Sequence, residues 1–226
     1  VDPCKFQRFH YDPCAFGHIC DAADGGGRII LTLYVDDGRT FDSNATACDA
    51  FLIRLANHFA IKEDGLEFYL GMEIAIPSPH VVVLTSRSYI TSLCSRCLPK
   101  PAVDYPAVHT PGHPRLLDFY EVALSTRDVP KSRDLVVRYR TIVGGCLWPA
   151  PNTRPDILFE CGVLARAFTF PTEDLYNCAV RVLVYLGQHS SYGIRFTGLS
   201  DNADVMTAWS DSDWSIARSV TGGCLQ

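Results

Sequence analysis

The run Ile29-Ile30-Leu31-Thr32-Leu33-Tyr34-Val35 is almost wholly apolar and is closed by two adjacent carboxylates, Asp36 and Asp37, with Gly38 directly behind them. An apolar run of that length predicts a buried strand. Successive strand side chains point to opposite faces, so both acids reach one site only if the chain turns straight after Val35. Gly38 is the residue expected to supply the turn. Clustered carboxylates are what hard magnesium ions need when they clamp substrate phosphates, and in-line nucleotidyl transfer uses two such ions. An isolated Asp-Asp pair is more often a solvated acidic turn, so the rest of the chain carries the weight of the assignment.

With 226 residues, 47% of them hydrophobic, the chain has material for one large domain or two small ones around a buried core. No charge-free apolar stretch reaches the roughly twenty residues of a membrane span, so no membrane partner is expected. The opening Val1-Asp2-Pro3-Cys4-Lys5 lacks the pattern of a signal peptide, and an intracellular setting is expected. The ten cysteines read as reduced core thiols, because Cys146, Cys161 and Cys178 fall at apolar helical positions. A net charge of −5 argues against a generic nucleic-acid binder. The charge is uneven: acids outnumber bases two to one in residues 1–75, whereas residues 86–140 have a basic excess. An acidic, cation-attracting part beside a mildly basic one suits a polymerase.

Periodicity predicts an α+β chain. A short strand near Ala15 to Ile19 precedes the run ending at Val35, with Asp24-Gly25-Gly26-Gly27 as the connecting turn. A helix from Ser43, capped by Ser43 or Asn44, carries Ala47, Phe51, Leu52, Leu55, Ala56 and Phe59 as its apolar stripe. Tyr69–Ile76 and His80–Thr85 flank Pro77-Ser78-Pro79 and predict a hairpin. A helix over Ser88–Cys97 follows. Residues 98–134, with six prolines, read as a linker or long surface loop. Three helices are then expected: Leu135–Leu147, Pro155–Phe168 behind a Thr153 cap, and Thr172–Leu186 closed by Gly187. Strand-like segments at 192–197, 204–210 and 219–226 should pair into one antiparallel sheet.

Taken in order, these segments resemble the reverse transcriptase of copia-type long-terminal-repeat retrotransposons. The likeness runs through Asp12-Pro13-Cys14, Tyr34-Val35-Asp36-Asp37, Phe68-Tyr69-Leu70-Gly71-Met72-Glu73-Ile74 and Tyr139-Arg140-Thr141-Ile142-Val143-Gly144-Gly145. It continues through Thr153-Arg154-Pro155-Asp156-Ile157, Pro171-Thr172-Glu173, Arg181 to Leu186 and Trp209-Ser210-Asp211-Ser212-Asp213-Trp214. The resemblance implies a partial polymerase palm in residues 1–85, a thumb and Pro-rich linker in 86–134, a helical connection in 135–200 and the start of a ribonuclease H-like sheet in 201–226. Asp36 and Asp37 become ligands of two magnesium ions, Tyr34 and Val35 neighbours of the primer end, and Leu70 and Gly71 part of a primer-gripping hairpin. Asp211 becomes the first metal-binding carboxylate of the ribonuclease H part. The implied partners are an RNA template, a DNA primer, deoxynucleoside triphosphates and the remainder of a polyprotein. The implied setting is a cytoplasmic particle or the nucleus.

The same resemblance places the third palm aspartate upstream of Asp12 and the later ribonuclease H acids beyond Gln226, so the chain by itself is expected to be inactive. Where the family continues with an apolar strand, this chain has Gly38-Arg39-Thr40-Phe41-Asp42, which predicts a damaged or exposed strand. The alternative is a degenerate remnant that at most binds nucleic acid or a partner. A zinc-dependent interaction module is the third reading, from Cys94, Cys97, His109 and His113. Zinc is not expected, since Thr110-Pro111-Gly112 bars a helix between the histidines and both cysteines fit an apolar helical stripe.

Overall fold

A computed structural model describes residues 6–21, 26–62, 65, 67–197, 208–212 and 221–225. The expected turn at Asp24-Gly25, and Asp213 and Trp214, lie outside these residues. The chain is α+β and divides into two compact units, Val1–Gly71 and Met72–Gln226.

The first unit is an antiparallel meander of β1 (Gln7–Arg8), β2 (Ala15–Ile19), β3 (Arg28–Tyr34) and β4 (Asp37–Asp42), in that spatial order. Helix α1 (Ala45–Ala56) follows, and the short strand β5 (Phe68–Tyr69) comes later. Asn44 starts α1 as predicted: its side-chain oxygen accepts a hydrogen bond from the Ala47 amide at 3.3 Å. Ala47, Cys48 and Phe51 on α1 pack with Ile29 and Cys20, while Phe59 lies beyond the helix end and is exposed. Because strand side chains alternate, Ile29 is buried while Ile30 and Phe41, opposite each other in the ladder, are exposed.

The strand after Asp37 is intact. All six residues of β4 pair with β3, from Tyr34↔Asp37 to Ile29↔Asp42. Its polar sequence leaves it largely exposed, as its composition predicts, without breaking the ladder.

In the second unit β6 (Met72–Ser78) and β7 (Val81–Thr85) form the expected hairpin, with a register slip between Ala75 and Ser78 at Pro77. Helix α2 (Arg87–Cys97) leaves it directly. Glu73 holds the start of α2: its carboxylate accepts from the Ser88 amide at 2.8 Å, the Arg87 amide at 3.2 Å, the Thr85 hydroxyl at 2.7 Å and the Ser88 hydroxyl. Burial by itself raises the Glu73 carboxyl, but the Ser88 and Thr85 hydrogen bonds outweigh it and hold the group below its usual range.

Residues 98–134 are not a bare linker. They form a 3-10 turn at Ala102–Asp104 and helix α3 (Leu116–Ser125), and Ala102, Val108, Leu116 and Ala123 are buried in the helical core. The prolines confine the helix to the proline-free stretch after Pro114, where Leu116 and Ala123, seven residues apart, share one face.

Helices α4 (Arg133–Leu147), α5 (Pro149–Asn152), α6 (Leu158–Ala165) and α7 (Glu173–Gln188) complete the core. The segment expected to be helical from Pro155 opens instead with a 3-10 turn, Pro155–Ile157, and α6 ends at Ala165. Thr153 is not its cap, because its buried hydroxyl shares a 2.6 Å hydrogen bond with Ser86. Helix α7 is capped by the Thr172 hydroxyl and packs on α2, α3, α4 and α6 through the predicted stripe of Leu175, Ala179, Val182, Leu183 and Leu186. Gly187 does not end α7. It is there for close packing, since a Cβ added to it would lie 2.4 Å from that of Ala102.

The three C-terminal strand segments do not form one sheet. Strand β8 (Gly193–Thr197) pairs antiparallel with β7, from Thr85↔Gly193 to Val81↔Thr197. Strands β9 (Ala208–Ser212) and β10 (Thr221–Leu225) pair with each other. Cys146, Cys161 and Cys178 are buried, and they are free thiols, as are Cys14, Cys20, Cys48, Cys94 and Cys97. Among the described residues no helix is long and apolar enough to cross a membrane.

Candidate functional site

The pair Asp36 and Asp37 sits at the tip of the β3–β4 hairpin. Tyr34 and Asp37 are the closing ladder partners, so the loop is the two residues Val35 and Asp36, and Gly38 lies one step inside β4. Two-residue hairpins whose twist matches the strands take positive φ at their first loop position. Val35 meets this demand with φ 56°, in a region that β-branched residues avoid at a cost of about 1–3 kcal/mol. Its side chain is 93% exposed, so packing does not impose the conformation; the turn does.

Both acids line a cavity of about 450 Å³ that belongs wholly to the first unit. Gly38 and Arg39 of β4 continue the same wall. The rest of the lining comes from Lys62, Gly65 and the stretch Glu67–Gly71. Leu70 and Gly71 both have positive φ, 51° and 77°, which makes them a tight turn directly after β5. The cavity therefore brings together two pairs that the sequence singles out more than thirty residues apart, Asp36 with Asp37 and Leu70 with Gly71. Tyr34 and Val35 do not line it; they are exposed at the hairpin tip, Tyr34 at 60%.

The sequence places Arg39 in a damaged or exposed strand and Tyr69 only at the start of a predicted strand, and it singles out Glu67 not at all. In the structure Arg39 reaches across the cavity wall: its Nη2 donates to the Gly65 carbonyl at 3.2 Å and to the Phe68 carbonyl, and its guanidinium lies 5.3 Å from the centre of the Tyr69 ring. Thr32, opposite Arg39 in the ladder, bonds the Arg39 carbonyl and meets the Tyr69 hydroxyl, each at 3.5 Å. Strand alternation would have placed Arg39 and Asp37 on one face, which was the one available clue.

As donors, Asp36 and Asp37 offer adjacent hard carboxylate oxygens at the mouth of an open cavity. That matches magnesium, which takes one or two protein carboxylates and fills its remaining positions with water and substrate phosphates. Among the described residues no group of three or more His, Cys, Asp or Glu side chains is arranged to hold a metal. Asp211 is in β9, paired with Gly222. Of the zinc candidates, Cys94 is buried with its thiol directed at the Leu183 carbonyl, and His113 stacks on Phe119 while accepting from the Arg115 amide.

The chain is similar to plant retroelement proteins. The retrovirus-related Pol polyprotein from transposon RE1 of Arabidopsis thaliana is 30% identical over 192 residues, which cover 84% of this chain. That from transposon RE2 of the same plant is 29% identical over 194 residues, again 84% of this chain. The match spans 12% of the length of each of these polyproteins. The uncharacterized mitochondrial protein AtMg00810 of Arabidopsis thaliana is 27% identical over 199 residues, covering 86% of this chain and 77% of that protein. No protein-family model matches the chain. No solved structure matches it.

Proposed function

We propose that this chain, a segment of a copia-type retrotransposon Pol polyprotein, is the part of its RNA-directed DNA polymerase that carries the Asp36–Asp37 metal site. The observation that carries this reading is the placement of both acids on a two-residue hairpin tip that opens onto one cavity with the Leu70–Gly71 turn. Asp36 and Asp37 would hold magnesium. The bound ions would supply charge neutralisation to a triphosphate and acidify a primer hydroxyl. The protein's own contribution is positional: the hairpin fixes the two carboxylates relative to each other, and the strained turn at Val35 sets the angle at which they leave the sheet. Template RNA, primer DNA and deoxynucleoside triphosphates are the proposed ligands, with the rest of the polyprotein as the covalent partner. Asp211 is proposed to serve a ribonuclease H activity and Tyr34 the primer end.

Primer extension on an RNA template, with magnesium, tests the reading in a polyprotein segment extended upstream of this chain. Asp36→Asn and Asp37→Asn should each lower synthesis by at least about a hundredfold, as loss of a directly acting electrostatic group does, while urea unfolding stays unchanged. Full synthesis by either variant overturns the assignment. Absence of synthesis in every extended segment leaves a non-catalytic, binding role as the function of the chain.

A further inference from the structure

Arg39 is a charged residue in the middle of a strand, and its side chain turns away from the β3–β4 ladder to contacts elsewhere. Its guanidinium bonds two main-chain carbonyls, those of Gly65 and Phe68, and lies on the ring of Tyr69. All three line the same cavity as Asp36 and Asp37. That stretch is a sheet edge: β5 is two residues long, stands at the end of the strand order β5-β6-β7-β8 and is followed at once by the positive-φ turn at Leu70 and Gly71. A short segment of that kind opens locally unless side chains from a firmer element hold it. Arg39 is fixed at its own backbone by pairing with Thr32, so it ties the position of the hairpin to that of the Phe68–Gly71 part of the lining.

We infer that Arg39 is a positioning residue for the Asp36–Asp37 site, clamping the Phe68–Gly71 wall so that the cavity keeps the width needed for a cation-bridged nucleoside triphosphate. The identity of that ligand rests on the polymerase reading; the clamp itself does not. Asp37 and Arg39 are two residues apart on one strand and so project from the same face. The clamp therefore fixes the wall on the side where Asp37 stands. An arginine does this because its planar fork reaches two carbonyls and a ring at once, whereas lysine reaches one and leucine none.

The test compares Arg39→Leu, Arg39→Ala and Arg39→Lys with the unsubstituted chain. Hydrogen exchange is read over residues 67–71 and over α7, and manganese(II) binding in the presence of a deoxynucleoside triphosphate is followed by electron paramagnetic resonance. Losing two hydrogen bonds and a ring contact should speed exchange at 67–71 about tenfold in the leucine and alanine variants, with α7 unchanged. Manganese affinity should fall about tenfold alongside, and the lysine variant should recover part of both. Unchanged exchange at 67–71 in Arg39→Leu overturns the clamp. Faster exchange with undiminished manganese affinity overturns the positioning role. Manganese binding that is absent, or insensitive to Asp36→Asn and Asp37→Asn, sinks the polymerase reading, and the exchange data then decide the clamp alone.

Discussion

Val35 occupies a backbone conformation that a β-branched residue enters only under constraint, and the constraint is the two-residue loop closed by Tyr34 and Asp37. Replacing it with glycine removes strain of about 1–3 kcal/mol and returns about 0.5–1 kcal/mol as extra freedom of the unfolded chain. Val35→Gly should therefore strengthen the hairpin by about 1 kcal/mol, read as slower exchange of the β3 and β4 amides; faster exchange would show that the turn is not strained. The acids and the turn were legible because an apolar run followed by two carboxylates leaves few places for the chain to go. The exact turn residue was not, since Gly38 looks like the natural turn former and only the ladder register moves the loop back to Val35 and Asp36. A second residue pair was also hidden. Arg154 is 1% exposed, forms a bidentate pair with Asp156 at 2.8 and 2.9 Å, donates to the His189 carbonyl and lies over the rings of Tyr185 and Tyr192. Burial alone would raise the Asp156 carboxyl, but the Arg154 and Tyr185 hydrogen bonds prevail and hold it below its ordinary 3.8. A carboxyl depressed in the folded state adds stability above its unfolded value, and that stability is lost as pH falls through the folded one. Acid unfolding of the helical unit should thus steepen below about pH 4, and Asp156→Asn should flatten it. Asp156→Ala, which strands the buried guanidinium, should cost about 3 kcal/mol and more than Arg154→Met, which leaves a carboxylate that can turn to water. Equal costs in urea unfolding would contradict the asymmetry.

The elements that could be read in advance are those whose signal is local. Helix α7 shows its cap at Thr172 and its stripe of apolar residues within sixteen consecutive positions, and both are where periodicity puts them. Helix α3 is masked by prolines on either side, because a composition argument averages over a window whose longest proline-free stretch, residues 115–129, holds Leu116–Ser125. Strand β8 has an ordinary strand pattern, but its partner β7 is more than a hundred residues earlier, and no local feature encodes that pairing. Packing between elements also explains Gly187, which looks in the sequence like a helix ender. An added Cβ at Gly187 would lie 2.4 Å from the Cβ of Ala102 and 2.9 Å from the Cys94 sulfur, both in the buried core. Gly187→Ala improves helix propensity by about 1 kcal/mol but forces apart α7 and the Ala102 turn, at a cost of about 1–3 kcal/mol. The variant should be less stable by about 1 kcal/mol in urea. Gly187→Ala combined with Ala102→Gly should recover part of that loss, because the second change removes the nearer of the two atoms in the way.

At the scale of the whole chain, burial is distributed unequally, and the distribution sets which parts open first. The helical core of the second unit gathers α2, α3, α4, α6 and α7 around residues with almost no exposure, among them Tyr139, Ile157, Leu175, Leu183 and Leu186. The Tyr139 hydroxyl is itself satisfied inside, donating to the Leu164 carbonyl at 2.6 Å, and burial pushes that phenol well above its usual range. The first unit has a smaller core, Cys20, Ile29, Ala47, Cys48 and Phe51, with Ile30, Tyr34, Val35 and Phe41 exposed on its sheet. A site built on the smaller unit suits a function in which the walls of a cavity adjust to a ligand, because ligand-binding segments come from the low-stability end of a fold. Among the described residues β9 and β10 make a sheet of two strands, in register from Ala208↔Leu225 to Ser212↔Thr221. An isolated two-stranded ribbon is marginal in water, whereas a helix buried on several sides exchanges only through wide unfolding. Amide exchange should therefore fall into three tiers: α7 slowest, β3 with β4 intermediate, and β9 with β10 fastest, the outer tiers differing by at least about a hundredfold. Asp211 stands in the fastest tier, opposite Gly222. If the β9 and β10 amides proved as protected as those of α7, the ribbon would be a finished structural unit in its own right, and the ribonuclease H role proposed for Asp211 would lose its footing.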